Sequence, residues 1–195
     1  MDKKKGDALL KIARNSIKLA FDDKDFDLIR THDKDLCQRR GAFVTLFNKI
    51  GKRRSKQREL RGCIGFIGSK LPLWGVVAEA ARLAAFEDPR FPPLCKGELD
   101  KISIEISVIS KLQRIDNREI KKPSDIAKQI EIGKDGLMIE YSGFSGLLLP
   151  QVAVEYGWNE ERFLEETCIK AGISPKDWKE KGCRIYKFQA QIFSE

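Results

Sequence analysis

The chemistry this sequence could carry concentrates in Leu60-Arg61-Gly62-Cys63-Ile64-Gly65. Read as a strand, the segment turns Arg61, Cys63 and Gly65 to one face and Leu60, Gly62 and Ile64 to the other. A guanidinium and a thiol then point the same way. A nearby arginine favours the thiolate, the nucleophilic and redox-active form of cysteine. Glycines in a strand give up side-chain packing, which fits a group approaching the backbone closely at Gly62 and Gly65, where N–H groups could donate. The pattern suits a nucleophilic or anion-binding site, with Arg61 on the anion and Cys63 as nucleophile or redox thiol. It equally suits a plain structural role. A free cysteine in a strand is commonly a small buried hydrophobe, and paired glycines mark bulges or tight strand-on-helix contacts.

Partners for that chemistry are few. Glu105 sits mid-strand among serines and is either on a solvent face or a carboxylate paired with Arg61. Asp88 and Arg90 flank the prolines of a rigid turn, placed to bind a ligand or simply to pair with each other. Glu105 or Asp88 would supply acid/base chemistry. A nucleophilic cysteine needs a base, and His32 is the one histidine, in a polar connector. Gly62, Gly65 and Gly68 precede Ser69-Lys70, but the second glycine of a phosphate-binding P-loop would fall on Ile67. Anion binding at the following helix start stays open. The five cysteines form no CxxC pair. The pattern therefore calls for no metal site, no cofactor and no disulfide framework.

The elements that must position these residues read as α+β. Leu9, Leu10, Ala13, Ile17, Ala20 and Phe21 recur at helical spacing behind a cap at Asp7. A connector to Arg40 leads to a strand at Gly41–Phe47, and Leu60–Ile67 returns as its hairpin partner. A helix opens near Pro72 and stops before Asp88-Pro89. Lys101–Ser110 alternates Ile102, Ile104, Ile106 and Val108 against Ser103, Glu105, Ser107 and Ile109. Residues 111–130 read as polar, with a short helix after Pro123-Ser124. A second hairpin turns at Ser142-Gly143, two helices are split by Gly157-Trp158, and a final strand lays Tyr186, Phe188, Ala190 and Ile192 on one face. Trp74, Trp158 and Trp178 read as core.

The 195 residues, 42% hydrophobic, suffice for one sizeable core, and 1–195 reads as a single domain with two lobes allowed. No apolar run spans a bilayer and no secretory leader is evident, so the expectation is a cytoplasmic protein off the membrane. Net charge is +8. Most of it lies in Lys52–Arg61, with six basic residues and one acid, and in the lysines at 3–5. Such patches can bind phosphates by counterion release. The basic stretch carries no interleaved aromatic of the kind single-strand binders use, which argues against a nucleic-acid partner.

Phe43-Val44-Thr45-Leu46, Leu60–Gly65 and Asp88-Pro89-Arg90-Phe91-Pro92-Pro93-Leu94 together resemble the AMMECR family. The likeness continues through Ile104–Val108, Gly133–Leu137, Leu147–Ala153 and Trp158, and covers residues 8–193. It implies a mostly antiparallel or mixed sheet flanked by helices, with a larger lobe and a smaller β-containing lobe bordering a cleft near the motif. It implies no established reaction. It does imply association with Memo-like proteins and a radical-SAM protein, as pathway or physical partners. The extended basic stretch at 50–59 departs from the shorter turn of relatives and reads as an embellishment of this chain. Two functions stay open. One is a binding module whose motif cleft takes a small anionic ligand or a protein partner. The other is an enzyme using Cys63, with Arg61 on an anionic substrate.

Overall fold

The structure is a computed structural model that describes residues 1–49, 59–115 and 124–195. The basic stretch at 52–58 and the helix-opening Pro123 lie outside the described residues. The chain forms two compact units, residues 1–109 with 191–195, and residues 110–190. Among the described residues no helix is long and apolar enough to cross a membrane.

In the first unit, α1 spans Lys3–Ala20 and buries Leu9, Leu10, Ala13 and Ile17 as the periodicity requires. Its cap is Asp2, whose side chain accepts the Lys5 N–H at 2.9 Å, rather than Asp7. A single carboxylate at the true start satisfies a free amide, so the helix begins one turn earlier than its apolar face suggests. The connector carries one 3-10 turn over Phe26–Ile29.

Strand β1 (Ala42–Asn48) lies between β2 (Glu59–Phe66) and β3 (Ile102–Ile109), antiparallel to both. Ala42, Val44 and Leu46 are fully buried, and across the ladder they face Phe66, Ile64 and Gly62 on one side and Val108, Ile106 and Ile104 on the other. This inner face carries α2 (Leu73–Phe86). The opposite face presents Phe43, Thr45 and Phe47 of β1 in the alternate register. Residues 191–195 return to β3, where the Glu195 N–H donates to the Ile104 carbonyl at 3.1 Å.

The second unit contains β4 (Gln113–Ile115), α3 (Ser124–Ala127), β5 (Asp135–Tyr141), β6 (Phe144–Leu148), α4 (Pro150–Tyr156), α5 (Glu160–Ala171) and most of β7 (Arg184–Ser194). Its strands run in the order β4-β7-β5-β6, and each described ladder is antiparallel. The β5–β6 turn places Ser142 and Gly143 at φ 50° and 85°, the left-handed pair that a two-residue hairpin demands. Asn159 caps α5 and Gly172, at φ 78°, ends it. The polar segment after Ser110 holds β4, too short for alternation to register. In β7 it is Ile185 and Phe188 that are buried, while Ile192 is 43% exposed. The first two are three positions apart, so they fall on opposite faces of the strand, while Tyr186 and Phe188 share one face as alternation requires.

One close contact fixes α2 on β2. A methyl group added at Gly62 would stand 2.1 Å from the Ala84 carbonyl oxygen of α2. Gly62→Ala is therefore expected to cost about 1–3 kcal/mol in urea unfolding through forced separation of strand and helix. Gly68→Ala, where nothing lies within 4 Å of the added carbon, should cost nothing measurable.

Candidate functional site

The motif does not run as a regular strand. Leu46 pairs with Gly62 and Phe47 with Leu60, so Arg61 is the extra residue of a β-bulge. A bulge re-aims its side chain and breaks the alternation. Arg61 is buried at 6% exposure and reaches Glu98, Nε to Oε1 at 3.4 Å and Nη2 to Oε2 at 3.3 Å. Its ion-pair partner among the described residues is thus Glu98, a residue the sequence did not single out, and not Glu105. Glu98 also accepts the Cys95 N–H at 2.8 Å. That backbone donor, then the Arg61 guanidinium, hold its carboxyl below the ordinary carboxylate range.

Cys63 returns to regular pairing, opposite Thr45. Its backbone N–H donates to Asp88 Oδ2 at 2.8 Å and its carbonyl accepts from Arg90 Nη2 at 3.2 Å. Strand β2 has β1 on one side only among the described ladders, so these groups point from its outer edge. The Asp88–Arg90 turn thus occupies the place of a neighbouring strand, using one carboxylate and one guanidinium. Asp88 and Arg90 also pair with each other at 2.7 Å, and the Arg90 N–H donates to Asp88 Oδ1 at 3.1 Å. The two residues expected to bind a ligand or pair together do form that pair. Asp88 is buried, and its carboxyl lies well below the usual range, chiefly through the Arg90 side-chain hydrogen bond and also through the Cys63 and Arg90 amides.

The outward face of the sheet holds the remaining candidates. Cys63 pairs with Thr45, and Thr45 pairs with Glu105 on β3, so thiol, hydroxyl and carboxylate stand in one row across three strands. Thr45 Oγ1 lies 3.3 Å from Cys63 Sγ, and the Ser194 hydroxyl donates to Glu105 Oε2 at 2.9 Å. Cys63 and Glu105 are two strand spacings apart, about 10 Å. Beside the row, the Phe43 ring lies over Gly65, where an added Cβ would stand 2.1 Å from ring carbon. Gly65 therefore seats an aromatic ring, and Phe47 flanks Thr45 on the other side. Thr45 and Ser194 could be found only from the register, which the sequence does not print.

The other thiols sort by burial. Cys168 and Cys183 are buried, which pushes their pKa values up to about 11 and about 12. Cys37 and Cys95 are exposed, as is His32 on the connector. No group of three or more metal-ligating side chains occurs among the described residues.

This fold and motif define an α+β protein of the AMMECR1 family: the chain belongs to that family, matching it over residues 10–193. It is 43% identical to Protein MJ0810 of Methanocaldococcus jannaschii over 168 residues, 86% of this chain and 79% of that one. Protein LS215_2104 of Saccharolobus islandicus is 46% identical over 191 residues, 97% of this chain and 81% of its own. The crystal structure of the uncharacterized protein PH0010 from Pyrococcus horikoshii superposes with a TM-score of 0.89 at 38% identity, covering 100% of this chain and 93% of that one.

The Asp88 clamp has a pH signature. A carboxyl held below its unfolded value stabilises the fold above that value, and the contribution is lost as pH falls through the folded pKa. Asp88→Asn is expected to lower stability at pH 7 by about 2 kcal/mol, the scale of a lost charge-assisted bond. The gap between wild type and variant should then close as pH falls below about 4, read by urea unfolding at several pH values.

Proposed function

We propose that this chain is a binding module whose ligand lies on the outward face of β2, β1 and β3. Cys63, Thr45 and Glu105 form its polar contacts, and Phe43 and Phe47 its apolar ones. The observation that carries the reading is the single register row joining thiol, hydroxyl and carboxylate between two aromatic rings. Apolar surface with a few convergent polar groups is the usual make-up of a recognition site. A protein segment suits it better than a small anion, because the nearby cations are already engaged, Arg61 by Glu98 and Arg90 by Asp88. Memo-like proteins, which the family resemblance implies, are the first partners to test.

The geometry gives less support to an enzyme with Cys63 as nucleophile. Beside its sulfur stand the Thr45 hydroxyl and the Arg90 guanidinium, neither of which serves as a base for a thiol. The carboxylate of the row is about 10 Å away.

The test uses protein with Cys37 and Cys95 replaced by serine, so that Cys63 is the accessible thiol. Calorimetry against a purified Memo-like protein should show binding that Cys63→Ala leaves within about threefold. A bulky maleimide on Cys63, or Glu105→Lys, should weaken it by about tenfold or more, the scale of losing one charge-assisted contact. Binding indifferent to both changes would remove the docking surface from this face. A substrate turned over by wild type and not by Cys63→Ala would replace the module with an enzyme.

A further inference from the structure

The second unit holds a polar pocket of about 210 Å³ that the motif does not involve. Its volume far exceeds the ~10–15 Å³ that a single water needs. Register builds one wall: Gln113 of β4 pairs with Lys187 of β7, and Asp135 of β5 pairs with Gln189 of β7. The segment from Lys128 to Lys134 builds the other.

Lys187 is fixed inside this pocket. Its Nζ donates to the Gln129 carbonyl at 2.6 Å and to Asp135 Oδ2 at 3.4 Å. Asp135 is 4% exposed, and the same oxygen accepts the Glu131 N–H at 3.0 Å. Its charge is therefore spent on holding the turn and the lysine. An ammonium has three protons, so Lys187 keeps one beyond these two contacts. The side-chain amides of Gln113 and Gln189 make no hydrogen bond among the described residues, yet both line the pocket. Unspent donors thus converge from two strands.

Two further cations stand at the rim. Lys128 pairs with Asp125 at 3.0 Å and Lys134 with Glu131 at 2.8 Å, both i,i+3 surface pairs. Such pairs contribute about 0–1 kcal/mol, so either lysine can swing to a ligand at little cost.

We propose that this pocket binds a tetrahedral oxyanion of the phosphate class. Lys187 and the Gln113 and Gln189 amides contact it from the sheet, and Lys128 and Lys134 close over it from the rim. Asp125 on Lys128, Glu131 on Lys134 and Asp135 on Lys187 match the three cations one for one, so an anion enters by displacing the rim carboxylates from Lys128 and Lys134, and the pocket admits one such group and not a polyanion. Nothing in this site depends on the sheet face of the first unit.

The test is an amide NMR titration of the whole chain with inorganic phosphate, against sodium chloride at matched ionic strength. Saturable shifts are expected at Gln129–Asp135 and Lys187–Gln189, with acetate weaker than phosphate. Lys187→Gln should weaken phosphate by about tenfold or more, as for a lost charged hydrogen bond. Because that change also frees Asp135, the double surface variant Lys128→Gln/Lys134→Gln gives an independent reading and should weaken it by about threefold or more. Shifts that chloride reproduces, shifts confined to other regions, or unchanged affinity in the double variant would overturn the site. Acetate binding as well as phosphate would overturn the tetrahedral class.

Discussion

The hydrogen bond from the Cys63 amide to the buried Asp88 carboxylate is the contact on which the site depends. Strand β2 would otherwise leave an N–H and a carbonyl at Cys63 bare on its outer edge, the kind of edge that invites pairing with another chain. The Asp88–Arg90 turn answers both groups, one with a carboxylate and one with a guanidinium. Charged partners make stronger hydrogen bonds than neutral ones. Two side chains can therefore hold an edge that would ordinarily need a whole strand. Pro89 between them keeps the turn rigid.

The rest of the motif follows from that clamp and from the close approach of α2. Gly62 lets the Ala84 carbonyl sit against β2. Arg61, forced out of register beside it, is drawn to Glu98. The segment from Asp88 to Glu98 is thus tied to β2 at residues 61 and 63 in succession. On the outward side of β2, Cys63 meets Thr45 and Gly65 seats the Phe43 ring. Arg61, Gly62, Gly65 and the Cys63 backbone therefore each have a structural task. The phosphate-class pocket of the second unit rests on different principles, convergent unspent donors rather than a strand register.

Much of this was legible in the sequence. The strand at Ile102–Ile109 shows itself by alternation, the stop of α2 by Asp88-Pro89, and the ends of α5 by Asn159 and Gly172. The family follows from Leu60–Gly65 and the proline-rich turn. Less legible was whatever depends on register or distance. The bulge at Arg61 is defined by a slip against Leu46 and Phe47, and alternation applied to β2 alone turned Arg61 toward Cys63. Thr45 looks like an ordinary strand threonine until its row is known. Glu98 reads as a surface acid because its partner lies 37 residues away. Strand β4 is three residues long, below the length at which a period of two can be told from chance.

The most direct measurement of this account is amide hydrogen exchange at Cys63 in the wild type and in Asp88→Asn. The clamp predicts strong protection of this edge amide in the wild type, comparable to that of the central strand β1, and its selective loss in the variant while β1 stays protected. A Cys63 amide that exchanges freely in the wild type, or is equally protected without the carboxylate, would contradict the claim that Asp88 holds the motif in place.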